Sequence, residues 1–272
     1  MTRLLLILFF SLLQPTESIK AISYNIRYNN PKDGINVWEN RKETVSIFLN
    51  EENADFIGLQ EVVHPQLLDL IGALKTYTYI GVGREDGKTK GEYSPIFYKK
   101  QKYTLLKSNT YWLSETPNIV SKGWDASLER ICTYGLFQNN KTAEKVWVFN
   151  THFDHRGTLA RAKSVDLIIE KVKTLNQEGL PVIITGDFNL TPDTPHIQKM
   201  QSYFDDVQKN LPISDPYYGT YNGFDTLKNA ERRIDYIFKK GFQIKNAKHI
   251  YKKTPMGGWA SDHHPVIAIL KN

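Results

Sequence analysis

Near its C-terminal end the chain places Asp262, His263 and His264 directly before a proline and an apolar run, "SDHHPVIAIL". A carboxylate beside imidazoles that titrate near neutral pH is the minimum equipment for moving a proton, because the carboxylate can fix the ring tautomer. Taken alone this is a polar turn before a strand. Its weight comes from similar residues at the ends of other apolar runs. Asn25 lies in "SYNIRY", Glu61 follows "FIGLQ", and His152 follows "VFNT". Asp187 and Asn189 follow "VIIT", and Asp235 lies in "RIDYIF". Each has a plain structural alternative: Glu61 as a turn carboxylate, His152 as a core histidine, Asp235 as the partner of Arg232 or Arg233. As a set they resist it, because burying several carboxylates is costly unless a cation or hydrogen bonds compensate. Oxygen donors without cysteine suit a hard cation such as Mg²⁺ or Mn²⁺ rather than structural zinc. A base, a cation and donors for developing charge are what water needs to attack a phosphate ester.

The elements that carry these residues read as strands over 19–28, 54–62, 94–100, 131–138, 145–153, 181–189, 233–240, 242–251 and 264–271. Helical periodicity covers 38–50, the stretch "HPQLLDLIGAL", 158–176, and a segment opening at Thr194-Pro195. Many strands follow one another directly, so simple β-α-β alternation fails. Two packed sheets with helices on their outer faces satisfy the pattern better. No linker or repeat divides residues 19–272, which reads as one catalytic domain.

Residues 1–18, "MTRLLLILFFSLLQPTES", combine Arg3 with a short apolar run and small residues. That pattern predicts a cleaved signal peptide, export to the periplasm or beyond, and no membrane insertion afterwards. The single cysteine, Cys132, excludes an internal disulfide and reads as a small buried hydrophobe. Net charge is +6, suited to a phosphorylated or polyanionic partner. The stretch "GREDGKTKG", with Arg84, Lys88 and Lys90, reads as a flexible basic loop that could follow a nucleic-acid backbone.

The ordered motifs "SYNIRY", "LQEV", "NTHFD", "GDFN", "RIDYIF" and "SDHHPV" resemble those of the endonuclease/exonuclease/phosphatase (DNase I-like) superfamily, over residues 19 to 271. "GVGREDGKTKGEYSPIFY", "YWLSETPN" and "GWDASLERICTYGLF" are similar to exported bacterial members of uncertain substrate. The resemblance implies an α/β, four-layered sandwich of two packed mixed β-sheets flanked by helices, with the site at one edge. It implies His263 as general base oriented by Asp235, and Glu61 with Asn25 as the metal pair, joined by Asp262 as a further ligand or hydrogen-bond partner. It implies Asp187 and Asn189 as the groups that position the nucleophile and hold phosphate, His152 as the second histidine, and Arg130 as a phosphate contact. His264 should point away and stays outside the set.

The expected activity is metal-dependent phosphodiester hydrolysis by a monomer, with a nuclease first. Small-phosphoester or phospholipid hydrolysis and non-catalytic phosphate binding stand as alternatives. A lipid-directed enzyme needs an exposed apolar loop, and Tyr111, Trp112 and Leu113 are the nearest candidates, which a packed strand end explains equally well. Inositol-phosphate enzymes usually read Trp-Cys-Asp-Arg where this chain has Arg233-Ile234-Asp235-Tyr236, which argues against that branch.

Overall fold

A computed structural model describes residues 17–271, so most of the expected signal peptide lies outside the described residues. The apolar runs form strands because both their faces are covered: β1 (Ile19–Asn25), β2 (Phe56–Gln60) and β8 (Val182–Asp187) are buried almost throughout. The remaining strands are β3 (Tyr77–Ile80), β4 (Ile96–Lys99), β5 (Tyr103–Trp112), β6 (Ile131–Asn139), β7 (Lys145–His152), β9 (Asp205–Asp206), β10 (Asp235–Lys240), β11 (Gln243–His249) and β12 (Val266–Lys271). Helices α1 (Trp38–Glu52), α2 (His64–Ala73), α3 (Thr158–Leu175) and α4 (Pro195–Gln201) fall where helical periodicity places them. A short 3₁₀ turn over Pro31–Asn36 precedes α1.

Two six-stranded sheets result, in the orders β11-β12-β1-β2-β4-β3 and β5-β6-β7-β8-β10-β9. Phe56, Phe137, Val148, Ile183, Ile237 and Val266 fill the space between them. Trp38, Val45, Phe48 and Leu67 of α1 and α2 cover the outer face of the first sheet. Val165, Ile168, Ile197 and Met200 of α3 and α4 cover the outer face of the second. This is the helix–sheet–sheet–helix sandwich expected.

Each sheet contains one parallel pair, β1 with β2 and β7 with β8, and otherwise antiparallel neighbours. Parallel neighbours end on the same side, so Asn25 and Glu61 leave one sheet where His152 and Asp187 leave the other. β10 and β12 run antiparallel to β8 and β1 and therefore begin at that same edge, with Asp235 opposite Asp187. Topology alone gathers the polar strand ends.

Beneath them the sheets are tied by a polar bridge absent from the sequence reading. Buried Asn150 accepts from Gln60 Nε2 at 2.7 Å and Thr185 Oγ1 at 2.9 Å, and donates to the carbonyls of Leu59 at 2.7 Å and Pro95 at 2.9 Å. Gly58 makes this approach feasible. A Cβ there would overlap Thr185 Oγ1 and stand 2.7 Å from Asn150 Oδ1.

The expected strand set is incomplete, and one open alternative is resolved. Residues 103–112 form a strand that the apolar pattern does not reveal, because β5 is the edge of its sheet and mostly exposed in its middle. Tyr111, Trp112 and Leu113 are buried rather than presented to a membrane. Among the described residues no helix is long and apolar enough to cross a membrane.

Candidate functional site

The gathered strand ends line a pocket of about 640 Å³. Its walls include Arg27, Glu61, Arg84, Glu92, Arg130, His152, His155, Asp187, Asn189, Asp262 and His263. Asn25 and Asp235 are fully buried against these groups. The nine residues assigned to the site from the sequence therefore meet. Backbone strain accompanies their convergence: Glu61 and Asn189, each just past a strand end, have φ of 60° and 49°, and Arg27 has 59°. Left-handed backbone is costly for a Glu or Arg and persists only where surroundings enforce it.

His263 Nδ1 is 2.8 Å from Asp235 Oδ2, both buried, so the ring presents Nε2 to the pocket. Asp235 is held by its backbone N–H donating to Thr220 Oγ1 at 3.1 Å. It does not pair with Arg233, whose guanidinium is bidentate to buried Asp206 at 2.7 and 3.1 Å. The Tyr221 ring meets His263 edge-on at 5.1 Å. Burial opposes charge on His263, but the attraction of Asp235, its hydrogen bond, and nearby Asp187 raise its proton affinity well above that of a free imidazole. His264 turns away and stacks on Tyr251 at 3.8 Å, as alternation requires.

His152 sits in the opposite environment. Burial, then the charges of Arg130 and Arg84, push its proton affinity well below the ordinary value, so it is neutral. Asn189 Nδ2 lies 3.2 Å from His152 Nε2 and donates to Phe153 O at 3.1 Å. His152 Nε2 also lies 3.5 Å from Asp187 Oδ2.

On the first sheet, Asn25 Nδ2 donates to Glu61 Oε1 at 3.1 Å and to Asp187 Oδ2 at 3.1 Å. Glu61 Oε2 accepts the Tyr28 N–H at 3.1 Å. Arg27 approaches both Glu61, at 3.9 Å, and Asp262, at 3.7 Å. Burial first, with Asp235 next, raises the Asp187 carboxyl to about 7. Asp262 rises to about 6, by burial and then by Glu61, against the pull of His263 and Arg27. Carboxylates that push one another's affinity up are under-compensated, and a divalent cation beside Glu61 and Asp262 fits that deficit. Ligand-type atoms of Asp187, Asp235 and His263 also lie within 4.8 Å of one another. There the Asp235 oxygen is already committed to His263, so that trio reads as an acid–base array. Glu61 with Asp262 is the better cation seat, because the expected partner Asn25 turns Nδ2 toward Glu61 and its Oδ1 accepts the Arg27 N–H at 3.0 Å.

Three contributors escape the sequence reading. Asp154 collects the backbone N–H groups of Ser127, Arg156 and Gly157 at 3.1, 2.9 and 2.7 Å and approaches Arg130 Nε at 3.3 Å. Burial would raise its carboxyl, but these hydrogen bonds hold it well below the usual range. Its only signal was its place in "NTHFD". Arg84 and Glu92 are the others. Arg84 is not on a flexible basic loop: it is buried, bidentate to Glu92 at 2.8 and 3.0 Å, and faces the pocket, while Lys88 and Lys90 stay exposed.

Residues 22–263 match the profile of the Endonuclease/Exonuclease/phosphatase family. A Bacteroides vulgatus endonuclease/exonuclease/phosphatase structure is 37% identical, with a TM-score of 0.87, covering 94% of this chain and 99% of that one. A Bacteroides thetaiotaomicron protein described as a mannosyl-6-phosphatase is 36% identical, also with a TM-score of 0.87, covering 93% of this chain and 100% of that one. An uncharacterised protein of Acanthamoeba polyphaga mimivirus is 29% identical over 249 residues, 86% of this chain and 92% of its own length. With the motifs in order, the sandwich formed and its edge lined by acids, histidines and arginines, the chain belongs to the endonuclease/exonuclease/phosphatase family of phosphoester-hydrolysing enzymes.

Proposed function

We propose that the chain is an exported Mg²⁺- or Mn²⁺-dependent phosphomonoesterase acting on a small phosphorylated metabolite, with sugar phosphates as the leading substrate class. The observation that carries this reading is the pocket itself, with Arg84 and Arg130 in its lining and of a size suited to a small ligand. Likeness over nearly the full chain to a protein described as a mannosyl-6-phosphatase supports it. The nuclease reading drew on a basic loop for tracking a backbone, and with Arg84 turned inward only Lys88 and Lys90 remain exposed for that task.

In the proposed mechanism the neutral form of His263, with Nδ1–H held by Asp235, takes the proton of the attacking water at Nε2, and a bound cation would lower its proton affinity enough to populate that form. Asp187, 3.8 Å from that nitrogen, and Asn189 position the water. Arg130 faces the phosphoryl oxygens as a charged donor, with His152 neutral beside it. Glu61 and Asp262 would hold the cation, with Asn25 orienting Glu61 through its amide, and the cation would supply charge neutralisation and water activation when bound.

The test is a phosphoester panel with the purified protein and Mg²⁺: mannose and glucose 6-phosphates, inositol phosphates, nucleotides, sphingomyelin, DNA and RNA. Release of inorganic phosphate from sugar phosphates should outpace cleavage of every diester. Faster cleavage of polynucleotides would overturn the monoesterase reading and restore the nuclease.

A further inference from the structure

Arg84 is held in place with more structure than a surface arginine needs. Its hairpin turns on Gly83 and Gly91: a Cβ on the first would overlap the Lys90 carbonyl, and the second has φ of +77° with Glu85 packed against it. Asp86 Oδ1 accepts the N–H groups of Lys88 at 2.8 Å and Lys90 at 2.9 Å, closing the tip. Trp112 Nε1 donates to the Arg84 carbonyl at 2.7 Å, pinning the backbone to the end of β5. Glu92 then occupies both terminal nitrogens of the guanidinium, leaving buried Nε without a partner.

Arg130 is built the same way. It is buried, with Nε 3.3 Å from Asp154 and Nη2 3.0 Å from His155, and its Nη1 also has no partner. Both guanidinium groups line the pocket. They lie near enough for the charge of Arg84 to disfavour that of Arg130, behind the burial of Arg130 itself. Each guanidinium has one carboxylate partner, Glu92 or Asp154, and keeps one buried N–H unmatched, a shortfall that an incoming anion would satisfy. One arginine, amide donors and a cation already suffice for the single charge of a diester. A terminal phosphoryl group brings a third non-bridging oxygen and nearly a second charge.

We infer that Arg84, braced by Glu92, is a specificity-determining residue that with Arg130 binds the extra oxygen and charge of a phosphomonoester and so selects monoesters over diesters. This rests on the phosphomonoesterase reading and names the residue that enforces it. Removing a charged hydrogen-bond donor to an anion typically costs about one to two powers of ten in kcat/KM.

The experiment measures kcat/KM with Mg²⁺ for p-nitrophenyl phosphate and bis(p-nitrophenyl) phosphate in the native protein, Arg84→Met, Arg84→Lys and Glu92→Gln. The monoester-to-diester ratio should fall at least about tenfold in Arg84→Met, less in Arg84→Lys, and in the same direction in Glu92→Gln. Should Arg84→Met fail to fold, the ratio in the other two variants decides. Equal losses on both substrates, or an unchanged ratio, overturn the role of Arg84. A native protein that itself prefers the diester overturns the phosphomonoesterase reading instead. The two failures are therefore separate results.

Discussion

The pocket has two histidines on facing walls, and their surroundings make them different reagents. His263 is enclosed by Asp235, Asp187 and Asp262, which together favour its charged form despite burial. His152 is equally buried, and that burial first, with the charges of Arg130 and Arg84 next, keeps it neutral although Asp187 Oδ2 is 3.5 Å from its Nε2. One residue type is thus divided into two chemical states by the sign of its neighbours. The first wall is over-supplied with negative charge and fits a cation. The second is over-supplied with positive charge and fits an anion. A phosphate ester bridging a metal and arginines joins the two imbalances.

The largest effect should come from breaking the first wall at its base. His263→Ala is expected to lower kcat by about 10²–10⁴-fold. Asp235→Asn should add little to it in the double variant, because the two act as one unit. Steady-state kinetics of the single and double variants checks both points, and losses that simply multiply would separate their roles. Next, Glu61→Gln removes a charge and keeps the shape. The Mg²⁺ concentration for half-maximal activity should rise by at least about tenfold, read from metal titrations after EDTA treatment. An unchanged requirement would move the cation elsewhere, toward Asp187.

A third perturbation acts on the link between the walls. Gly58→Ala forces a methyl into Thr185 and Asn150, the polar bridge under the site. A loss of about 1–3 kcal/mol is expected from such overpacking, measured by denaturant unfolding, with the two histidines shifted relative to each other and activity reduced. Stability without lost activity would mean the bridge does not set the site geometry.

The smallest effect lies outside the pocket. His249 is buried with its proton affinity lowered to about 4, and His264 to about 3, in each case by burial first. Both are neutral in the fold. As pH falls below the unfolded value near 6.5, the unfolded chain binds protons that the folded chain refuses, so stability drops progressively down to about pH 4. Melting temperatures across that window should fall less in His249→Gln than in the native protein.

Much of this was legible in the sequence, for a physical reason. Strands buried on both faces must be apolar, so Asn25, Glu61, His152, Asp187 and Asp235 stood out as polar groups at the ends of "IKAISY", "FIGLQ", "VWVFNT", "VIITG" and before "YIFKK". Edge strand β5 was hidden because exposure removes that constraint. Asn150 was hidden because one buried amide inside an apolar strand carries no sign of the four partners that the opposite sheet and its neighbours supply. Arg84 was misplaced because its direction depends on Trp112 and Glu92, contacts that the local string "GREDGKTKG" cannot express. Nor could spacing tell which histidine is charged, since that depends on which carboxylates and arginines arrive from other strands.

The contrast between the walls is tested most directly by an NMR titration of the imidazole rings in metal-free protein, with His263→Ala and His152→Ala providing the assignments. At neutral pH His263 should carry protons on both nitrogens, while His152 should be neutral. Adding Mg²⁺ should lower the proton affinity of His263, as positive charge beside Glu61 and Asp262 offsets the carboxylates that raise it. A charged His152, or two rings titrating together near the ordinary value, would contradict the assignment of opposite roles to the two walls.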